Sequence, residues 1–555
     1  MKNGARLDFA SNATLGETSG LDAPVRARRT IAWCLIAASM LIAVTLRLYH
    51  LGGLSIWWDE GMTSIAVRLS SPDIVRFVRV DTFPPLYFWL QHYWQLLFGN
   101  SETALRGLSA FCGTVSVPVF YLLARKFLHD PFAVALAMWT FAFSEMLLWY
   151  SREARPYALV SFLALASLYA LIRFLENRSL KWFAIFVLTV DASLYSHTMM
   201  FLYLLALNVT WLTYPSARDF MRRFKELVLA DVLVLLFYLP WVPSLLAQVA
   251  TVHRAHDSWT LPRPTITDFF STLAVISGFN FDYLIAFGQK LLPLSPHTLG
   301  VGIAAAVSLL WAALVIGGLW RVPKADRSRN VALLLYCLVP MIVAFVFSRV
   351  ATPVFVNRVL IDSAAVIPIV LAYPLALRTG RRTRVFYIFC GIALAAITAL
   401  SGLGFLRYQQ KENWRAATQA LLAIPEKNRL IVFVQRTGES LFDYYVRRLS
   451  AESSGFTKMG VPNSYLDAFP PPPYSPLASE NDFRPLTSAV ESGKYSEIDL
   501  VLSHEGAADP HSLVLNYLNR ALVNQGGPQF YGVKIVRFLQ PPPPRPDRLQ
   551  SSALR

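Results

Sequence analysis

The chain is short of charged residues for its length. Only 15% of its 555 residues are charged and 55% are hydrophobic, whereas an ordinary soluble domain carries about 25% charged residues. This deficit argues against a soluble protein and indicates a lipid environment. The net charge of +16 would suit a nucleic-acid partner, but the basic residues stand in short clusters between apolar stretches. We therefore expect membrane topology, and no nucleic acid, to explain them.

Cysteine is scarce as well. The chain has four cysteines, all inside apolar stretches and without a CxxC pair: Cys34, Cys112, Cys337 and Cys390. Their placement argues against a disulfide framework and a cysteine metal site. The sequence also lacks a P-loop GxxxxGK[ST], a zinc-binding HExxH and a GxGxxG turn, so nucleotide hydrolysis is not expected.

Long apolar segments recur along the chain. Roughly 17 to 25 residues cross the hydrocarbon core as a helix, and about eleven segments approach that length. The first segment follows a polar tail, 1–29, and lacks a clear cleavage site, so we interpret it as a retained helix with a cytoplasmic N-terminus. The predicted spans are 30–50, 104–124, 131–150, 155–175, 181–197, 198–214, 225–246, 299–320, 330–348, 357–377 and 385–406.

The loop charges support this topology. Short cytoplasmic loops are rich in Lys and Arg, and every predicted inside loop is basic when the N-terminus is inside. The first outside loop, 51–103, is sparse in positive charge and contains two stretches that we expect to form interfacial helices, Ile65–Leu69 and Leu86–Phe98. In the other long outside loop, 247–298, Phe269–Leu292 is expected to dip into the interface.

After Leu406 the composition turns polar, and helical patterns alternate with strand patterns. This alternation predicts a small α/β domain on the outer side, 407–540, followed by a disordered tail, 541–555. The proline run 470–473 predicts a stiff loop. The expected elements are helix Asn413–Ala423, strand Leu430–Gln435, helix Ser440–Leu449, strand Ile498–Ser503, helix Ser512–Val523 and strand Val533–Phe538.

Two adjacent carboxylates follow the first predicted span. Asp59 and Glu60 stand directly behind two tryptophans. Desolvating such a pair is costly, so it calls for a proton-transfer role, a metal ion or a cationic partner. A solvated loop start beside a tryptophan belt would explain the same residues, and the residues alone leave both interpretations open.

Arginine also occurs at predicted outer helix ends, where the positive-inside rule disfavours it. Arg155 lies at one such end, and Arg349 and Arg358 flank a short outside turn. Guanidinium groups bind phosphate oxygens bidentately, so these arginines predict a phosphate clamp. Pairing with Glu153, snorkelling of the side chain, or ordinary binding of lipid headgroups is the alternative.

The motifs follow a recognisable order. They resemble the C superfamily of membrane-embedded glycosyltransferases, in particular the bacterial branch similar to protein O-mannosyltransferases, lipid A aminoarabinose transferases and rhizobial core galacturonosyltransferases. The resemblance runs from residue 30 to residue 450. It rests on Trp58-Asp59-Glu60-Gly61, Pro84-Pro85-Leu86-Tyr87, Phe98-Gly99, Arg106, the stretch from Arg152 to Tyr157, Tyr195-Ser196-His197, Asn357-Arg358 and the stretch from Asn413 to Ala417.

The resemblance implies inverting transfer of a sugar from a polyprenyl-phosphate donor to a glycan, lipid or protein acceptor. It also implies a bacterial inner membrane with 407–540 in the periplasm. Asp59 would deprotonate an acceptor hydroxyl or position a phosphate acceptor, and Glu60 would orient it. Arg155, Arg349 and Arg358 would hold the donor phosphate. The residues expected to line the site are Trp58, Pro84, Pro85, Tyr87, Arg106, Glu153, Tyr157, His197 and Asn357.

The residues leave some questions open. A lone histidine such as His197 is more often structural than catalytic. The position before the two prolines, often Lys or His in relatives, is Phe83 here, so a phosphate contact is lost or supplied elsewhere. Some superfamily members use a divalent cation at the first-loop carboxylates and others do not.

The alternative function is a transporter or flippase of a lipid-linked intermediate. Transporters tend to carry inverted repeats and midplane polar residues, whereas the ionisable residues noted here gather at predicted outer helix ends, which favours the enzyme. A degenerate scaffold is a third hypothesis, against which the intact pair of Asp59 and Glu60 argues.

Overall fold

The computed structural model describes residues 23–80, 83–214, 220–254, 261–292, 294–424, 428–435, 437–449, 457–461 and 483–541. This part of the chain is mostly helical and contains one small mixed sheet. Most of the predicted N-terminal tail, the proline run 470–473 and nearly all of the predicted tail 541–555 lie outside the described residues.

The apolar segments form helices that are numbered here in chain order. Short 3-10 turns at Thr198–Met200, Leu239–Trp241 and Asn357–Leu360 join some of them. The helices up to residue 408 are α1 (Ala23–Leu48), α2 (Trp58–Ala66), α3 (Ser71–Val80), α4 (Leu86–Phe98), α5 (Glu102–Phe127), α6 (Pro131–Phe143), α7 (Glu145–Ser151), α8 (Tyr157–Asn177), α9 (Leu180–Leu194), α10 (Phe201–Thr213), α11 (Phe220–Tyr238), α12 (Val242–Arg254), α13 (Ile266–Ile276), α14 (Phe281–Leu291), α15 (Pro296–Arg321), α16 (Lys324–Val350), α17 (Ile361–Ala376) and α18 (Arg381–Tyr408).

Within the described residues, eight helices are long and apolar enough to cross a membrane, or up to ten if each of two bent helix pairs is one span. The expected count of eleven is too high by this measure. The predicted spans 181–197 and 198–214 form α9, which has 15 residues, and a short apolar helix over Thr198–Thr213. A 15-residue helix is only about 22 Å long. The polar stretch that ends at His197 divides the apolar run, because the His197 Nδ1 atom accepts a hydrogen bond from the Met199 amide at 3.1 Å and so caps the next helix turn.

The predicted span 131–150 is bent by 51° between α6 and α7. The backbone of Ser144 leaves the helical region there, with φ −57° and ψ 112°. The predicted interfacial dip at Phe269–Leu292 falls on α13 and α14, which meet at 80°, the geometry of a broken span or a re-entrant loop.

The first loop, 51–103, folds into three short helices. The expected helix Leu86–Phe98 is confirmed as α4. The expected helix Ile65–Leu69 is wrong, because α2 begins at Trp58 and ends at Ala66. Asp59 and Glu60 occupy the first turn of α2, where the positive end of the helix dipole favours carboxylates. The helix therefore starts before the apolar residues that suggested it.

The C-terminal part confirms all six expected elements and adds others that the sequence pattern missed. The strand order is β2-β1-β3-β6-β4, with β5 paired to β6; β1 runs parallel to β2 and β3, and β6 runs antiparallel to β3 and β4. The elements are α19 (Trp414–Leu422), β1 (Arg429–Val434), α20 (Thr437–Leu449), β2 (Thr457–Val461), α21 (Arg484–Glu491), β3 (Glu497–Leu502), α22 (Glu505–Ala508), α23 (Leu513–Ala521), β4 (Val523–Gly526), β5 (Gln529–Phe530) and β6 (Val533–Leu539).

The sheet packs against the helical part through one of its faces. Side chains alternate along a strand, so Val432 of β1 joins one apolar cluster and Phe433 joins the other. The Phe433 cluster also contains Ile56 of the first loop and Trp414 of α19. The Tyr445 hydroxyl accepts a hydrogen bond from the Ile56 amide at 2.8 Å. These contacts hold the C-terminal sheet beside the start of α2, where the two carboxylates lie.

Candidate active site

Glu60 is locked in a buried ion network. Its side chain is 0% exposed. Its carboxylate accepts hydrogen bonds from Arg106 Nε at 2.7 Å, from Arg106 Nη2 at 2.6 Å and from the Ala154 amide at 3.2 Å. Lys411 Nζ lies 3.3 Å from Glu60 Oε1. Burial alone would raise the pKa of Glu60, but Arg106 and Lys411 lower that pKa to about 2. Glu60 is therefore a fixed carboxylate that organises its surroundings.

Arg106 extends this network into the first loop. Its Nη1 atom donates to the carbonyl oxygens of Leu51 and Leu54 at 2.7 and 2.8 Å, and its Nη2 atom donates to that of Ser55 at 2.9 Å. Three carbonyl oxygens and one carboxylate thus meet the donors of one guanidinium group. The pair of Glu60 and Arg106 fixes the chain between α1 and α2 and so sets the position of Asp59.

Asp59 has a more open environment. Its side chain is 20% exposed, and its Oδ2 atom lies 4.0 Å from Arg155 Nε and 3.7 Å from Arg358 Nη1. These two distances are longer than those at Glu60, so Asp59 forms looser ion pairs than its neighbour does. The structure therefore brings together Asp59, Arg155 and Arg358, which the sequence placed in separate loops.

Arg155 is held from two sides. Its guanidinium carbon lies 4.3 Å from the centroid of the Phe83 ring, a cation–π contact. Its carbonyl oxygen accepts a hydrogen bond from Ser109 Oγ at 3.2 Å, and Ser109 Oγ lies 2.9 Å from the hydroxyl oxygen of Tyr87. Phe83, the residue before the two prolines, thus packs against the guanidinium group of Arg155.

Several predicted lining residues pack around this group. The His197 ring centroid lies 5.1 Å from that of Phe83 and 5.5 Å from that of Tyr157, and His197 also has the structural capping role described above. Pro84 and Pro85 are buried and lead into α4, whose first amide, that of Leu86, donates to the Tyr195 carbonyl oxygen at 3.0 Å. These residues shape the wall beside Arg155.

Glu153 is buried near the same charged residues. Its Oε2 atom accepts a hydrogen bond from Trp149 Nε1. Burial raises the pKa of Glu153, and Asp59 and Glu60 nearby act in the same direction while Lys411 opposes them. The Glu153 side chain therefore keeps its proton at a higher pH than an ordinary glutamic acid does.

Two predicted residues have other described partners. Arg349 is exposed, and its Nη1 atom donates to the Pro264 carbonyl oxygen at 3.2 Å. The Oδ1 atom of Asn357 accepts a hydrogen bond from Thr272 Oγ1 at 2.9 Å. Neither residue forms a described contact with Asp59, so the structure does not join them to the pair of Arg155 and Arg358.

Sequence reasoning missed three residues of this region. Lys411 pairs with Glu60, while Glu412 binds His504 of the C-terminal part through a hydrogen bond from Nε2 to Oε1. The ring centroid of His504 lies 5.2 Å from that of Trp58. The signal that was available is the charged pair Lys411 and Glu412 directly before the recognised motif that starts at Asn413.

A divalent cation finds no ready ligand set here. Within the described ranges, no three His, Cys, Asp or Glu side chains are arranged to hold a metal ion. Both oxygens of Glu60 already bind Arg106, and Asp59 faces two cationic groups. The described residues therefore do not fit a metal bound jointly by Asp59 and Glu60.

Two cavities of the described structure lie away from this site. They measure about 510 and 550 Å³ and share Arg28, Asp130 and Phe132. These residues belong to the beginnings of α1 and α6, whereas Asp59 follows the end of α1. The cavities are thus at the opposite end of these helices, and none of the predicted site residues lines them.

Comparison with solved structures relates the fold of this chain to known proteins. ArnT from Cupriavidus metallidurans in the apo state is 12% identical in sequence and has a TM-score of 0.54, over 92% of this chain and 98% of that chain. The same protein bound to undecaprenyl phosphate is 13% identical, with a TM-score of 0.51, over the same shares. The chain has the same fold as ArnT.

This shared fold confirms the fold that the resemblance implied. It also confirms the fold class, an integral membrane protein of many helices with a small C-terminal sheet. Residues 82–243 match the family described as dolichyl-phosphate-mannose-protein mannosyltransferase, a range that includes Arg106, Arg155 and His197. No curated protein sequence matches this chain significantly.

Proposed function

We propose that the chain is an inverting glycosyltransferase that takes a sugar from a polyprenyl-phosphate donor. The acceptor is a glycan, lipid or protein on the outer face of the bacterial inner membrane, with 407–540 in the periplasm. One observation carries this proposal: the carboxylate of Asp59 faces two guanidinium groups, at 4.0 Å for Arg155 and 3.7 Å for Arg358, in a chain with the same fold as ArnT. The match to ArnT, which has been solved bound to undecaprenyl phosphate, supports a donor of that class.

The proposed mechanism assigns the donor phosphate to Arg155 and Arg358. Guanidinium groups fixed before the reaction stabilise the charge that develops on the phosphate as the sugar leaves. Arg358 is 37% exposed and Arg155 is 6% exposed, so one is accessible for an entering ligand and the other is held by the fold. Arg349 is not assigned to the donor phosphate, because its described hydrogen bond goes to the Pro264 carbonyl oxygen. In this scheme Arg349 contacts the lipid headgroup outside the phosphate site.

Asp59 has a different task from Glu60 in the proposed mechanism. Asp59 orients the two arginines and the acceptor, because it is the exposed carboxylate between them. Glu60 fixes α2 through Arg106 and so acts on Asp59 through the backbone. Transfer needs no step through a metal ion in this scheme.

The test is sugar transfer by purified protein with bacterial membrane extract as the acceptor source. Radiolabelled sugars are supplied on polyprenyl phosphate or, in parallel, on a nucleotide. We expect incorporation from the lipid donor alone, and a loss of about 100-fold or more in Asp59→Asn. Incorporation from the nucleotide donor, or from neither donor, would contradict the proposed function.

A further inference from the structure

A histidine of the C-terminal part reaches the candidate site. His504 follows β3, and its ring lies beside that of Trp58, the residue directly before Asp59. Its side chain is 41% exposed, so the imidazole has an accessible edge. The proposed roles of Asp59, Arg155 and Arg358 give this histidine no task.

One nitrogen of His504 is already committed. Nε2 hydrogen-bonds Glu412 Oε1, and the other oxygen of Glu412 accepts a hydrogen bond from Trp414 Nε1 at 2.8 Å. The Glu412 side chain is 8% exposed, so two contacts and burial fix the position of its carboxylate. A carboxylate that accepts the Nε2 proton selects the tautomer in which Nδ1 keeps its lone pair. No hydrogen bond to Nδ1 occurs within the described residues.

The charges around His504 strengthen it as a base. The hydrogen bond with Glu412 raises the pKa of His504 above its ordinary value of 6.5; burial opposes this change, and the negative charges of Glu412, Asp59 and Glu505 support it. These carboxylates come from the segment after α18, from α2 and from the neighbouring residue. An imidazole whose protonated form is stabilised in this way accepts a proton more readily during catalysis.

Asp59 is less free to take the same role. Its Oδ2 atom faces both guanidinium groups, and taking up a proton would remove the negative charge that orients them. His504 carries no such duty, because its one described ionic partner is Glu412. The proton-accepting and arginine-orienting tasks are therefore better divided between two residues.

We propose that His504, oriented by Glu412, is the general base of the transfer and that the acceptor is a hydroxyl group. This inference rests on the proposed function. The acceptor oxygen forms a bond to the anomeric carbon while the bond from that carbon to the donor phosphate oxygen breaks. The acceptor proton moves to Nδ1 of His504, and the electron pair leaves with the polyprenyl phosphate held by Arg155 and Arg358. A fully ionised phosphate acceptor has no proton to give up, so a dedicated base indicates a hydroxyl.

The experiment compares His504→Ala and Glu412→Gln with wild type in the radiolabel assay, and His511→Ala serves as the control. His511 is an exposed histidine of the same domain. We expect His504→Ala to lose about 100-fold or more in kcat, with the KM for the lipid donor changed less than about threefold because donor binding keeps Arg155 and Arg358. Added imidazole should restore part of the activity, and His511→Ala should match wild type.

The pH profile separates a catalytic role from a structural one. A base must be unprotonated, so wild-type kcat should fall as the pH drops through the pKa of His504. In Glu412→Gln that decline should move to lower pH, since the main cause of the raised pKa is gone. Glu412→Gln keeps the imidazole ring of His504. This variant therefore still tests the proposal if His504→Ala does not fold and shows no thermal unfolding transition.

The product reports the acceptor class. Label on a hydroxyl survives mild acid, which releases label from a glycosyl phosphate. Acid-stable label supports the inference. Acid-labile label would overturn the inference, and so would activity of His504→Ala within about threefold of wild type. In either case, transfer by wild type would still support the proposed function. No transfer by wild type from any lipid donor would overturn the proposed function and the base with it.

Discussion

Asp59 and Glu60 are neighbours on one helix and have opposite environments. Each carboxylate faces two cations, but those at Glu60 lie at 2.6 to 3.3 Å and those at Asp59 at 3.7 to 4.0 Å. Glu60 is 0% exposed and Asp59 is 20% exposed. Successive residues of a helix point about 100° apart, so one side chain enters the packed interior and the next faces the open side. A tight, buried network marks the structural carboxylate, and a loose, exposed one marks the carboxylate available to ligands.

The largest expected effect is on stability when Glu60 is removed. Glu60→Ala leaves Arg106 and Lys411 buried without their carboxylate, which should lower the free energy of unfolding by about 3 to 5 kcal/mol. Thermal unfolding in detergent measures this loss. The control is Asp73→Asn, which breaks the exposed pair of Asp73 and Arg76 in the same loop and should cost less than about 1 kcal/mol. Equal losses in the two variants would contradict the comparison.

Acid should weaken the same network. The pKa of Glu60 is about 2 in the fold against an ordinary value of 4.5, so its contribution to stability is present above pH 4.5 and is lost as the pH falls toward 2. The difference corresponds to about 3 kcal/mol. Unfolding measured between these pH values should show a shallower pH dependence in Glu60→Gln than in wild type. Parallel curves for both proteins would show that another group is responsible.

The arginines of the open side should affect ligand binding instead. Arg358→Gln should weaken the binding of undecaprenyl phosphate about 10- to 100-fold, the usual loss for a hydrogen bond to a charged group. Arg349→Gln is the matched control, because Arg349 contacts Pro264 and its removal should change binding less than about threefold. Isothermal titration of the purified variants distinguishes them, and a larger loss in Arg349→Gln would reverse the assignment.

The smallest expected effect comes from the support beneath Arg155. Phe83→Leu removes the cation–π contact, worth about 0.5 to 1 kcal/mol, and should weaken undecaprenyl phosphate binding about two- to fivefold. Phe88→Leu is the control, since the Phe88 ring packs against Phe83 and has no described cation. If both variants bind alike, Phe83 acts through packing alone.

Most of the helical fold followed from the sequence because a span must bury every backbone polar group, which demands a long apolar run. The prediction failed where such a run is interrupted. Hydropathy predicts one continuous span across Ser144, where the structure has two helices, α6 and α7. Hydropathy also predicts two full spans within 181–214, but α9 ends at Leu194 and is too short. In the C-terminal part, β4 was missed because its residues are all exposed and show no alternation.

The candidate site was only partly predictable. Motif order placed Asp59, Arg155 and Arg358 in one group, and the resemblance implied that Glu60 orients Asp59. The burial of Glu60 was not predictable, because it depends on Arg106 and on Lys411, which are distant along the chain. His504 lay in no recognised motif. Its position depends on how the sheet packs against Ile56 and Trp414, a contact between distant segments that local patterns do not contain.

The central claim is that Asp59 serves the chemistry and Glu60 serves the fold. The most direct test measures thermal unfolding and sugar transfer on the same preparations of Asp59→Asn and Glu60→Gln. We expect Asp59→Asn to keep the wild-type unfolding temperature and lose about 100-fold or more in transfer, and Glu60→Gln to unfold at a clearly lower temperature. Wild-type transfer by Asp59→Asn, or an equal drop in unfolding temperature in both variants, would contradict the claim.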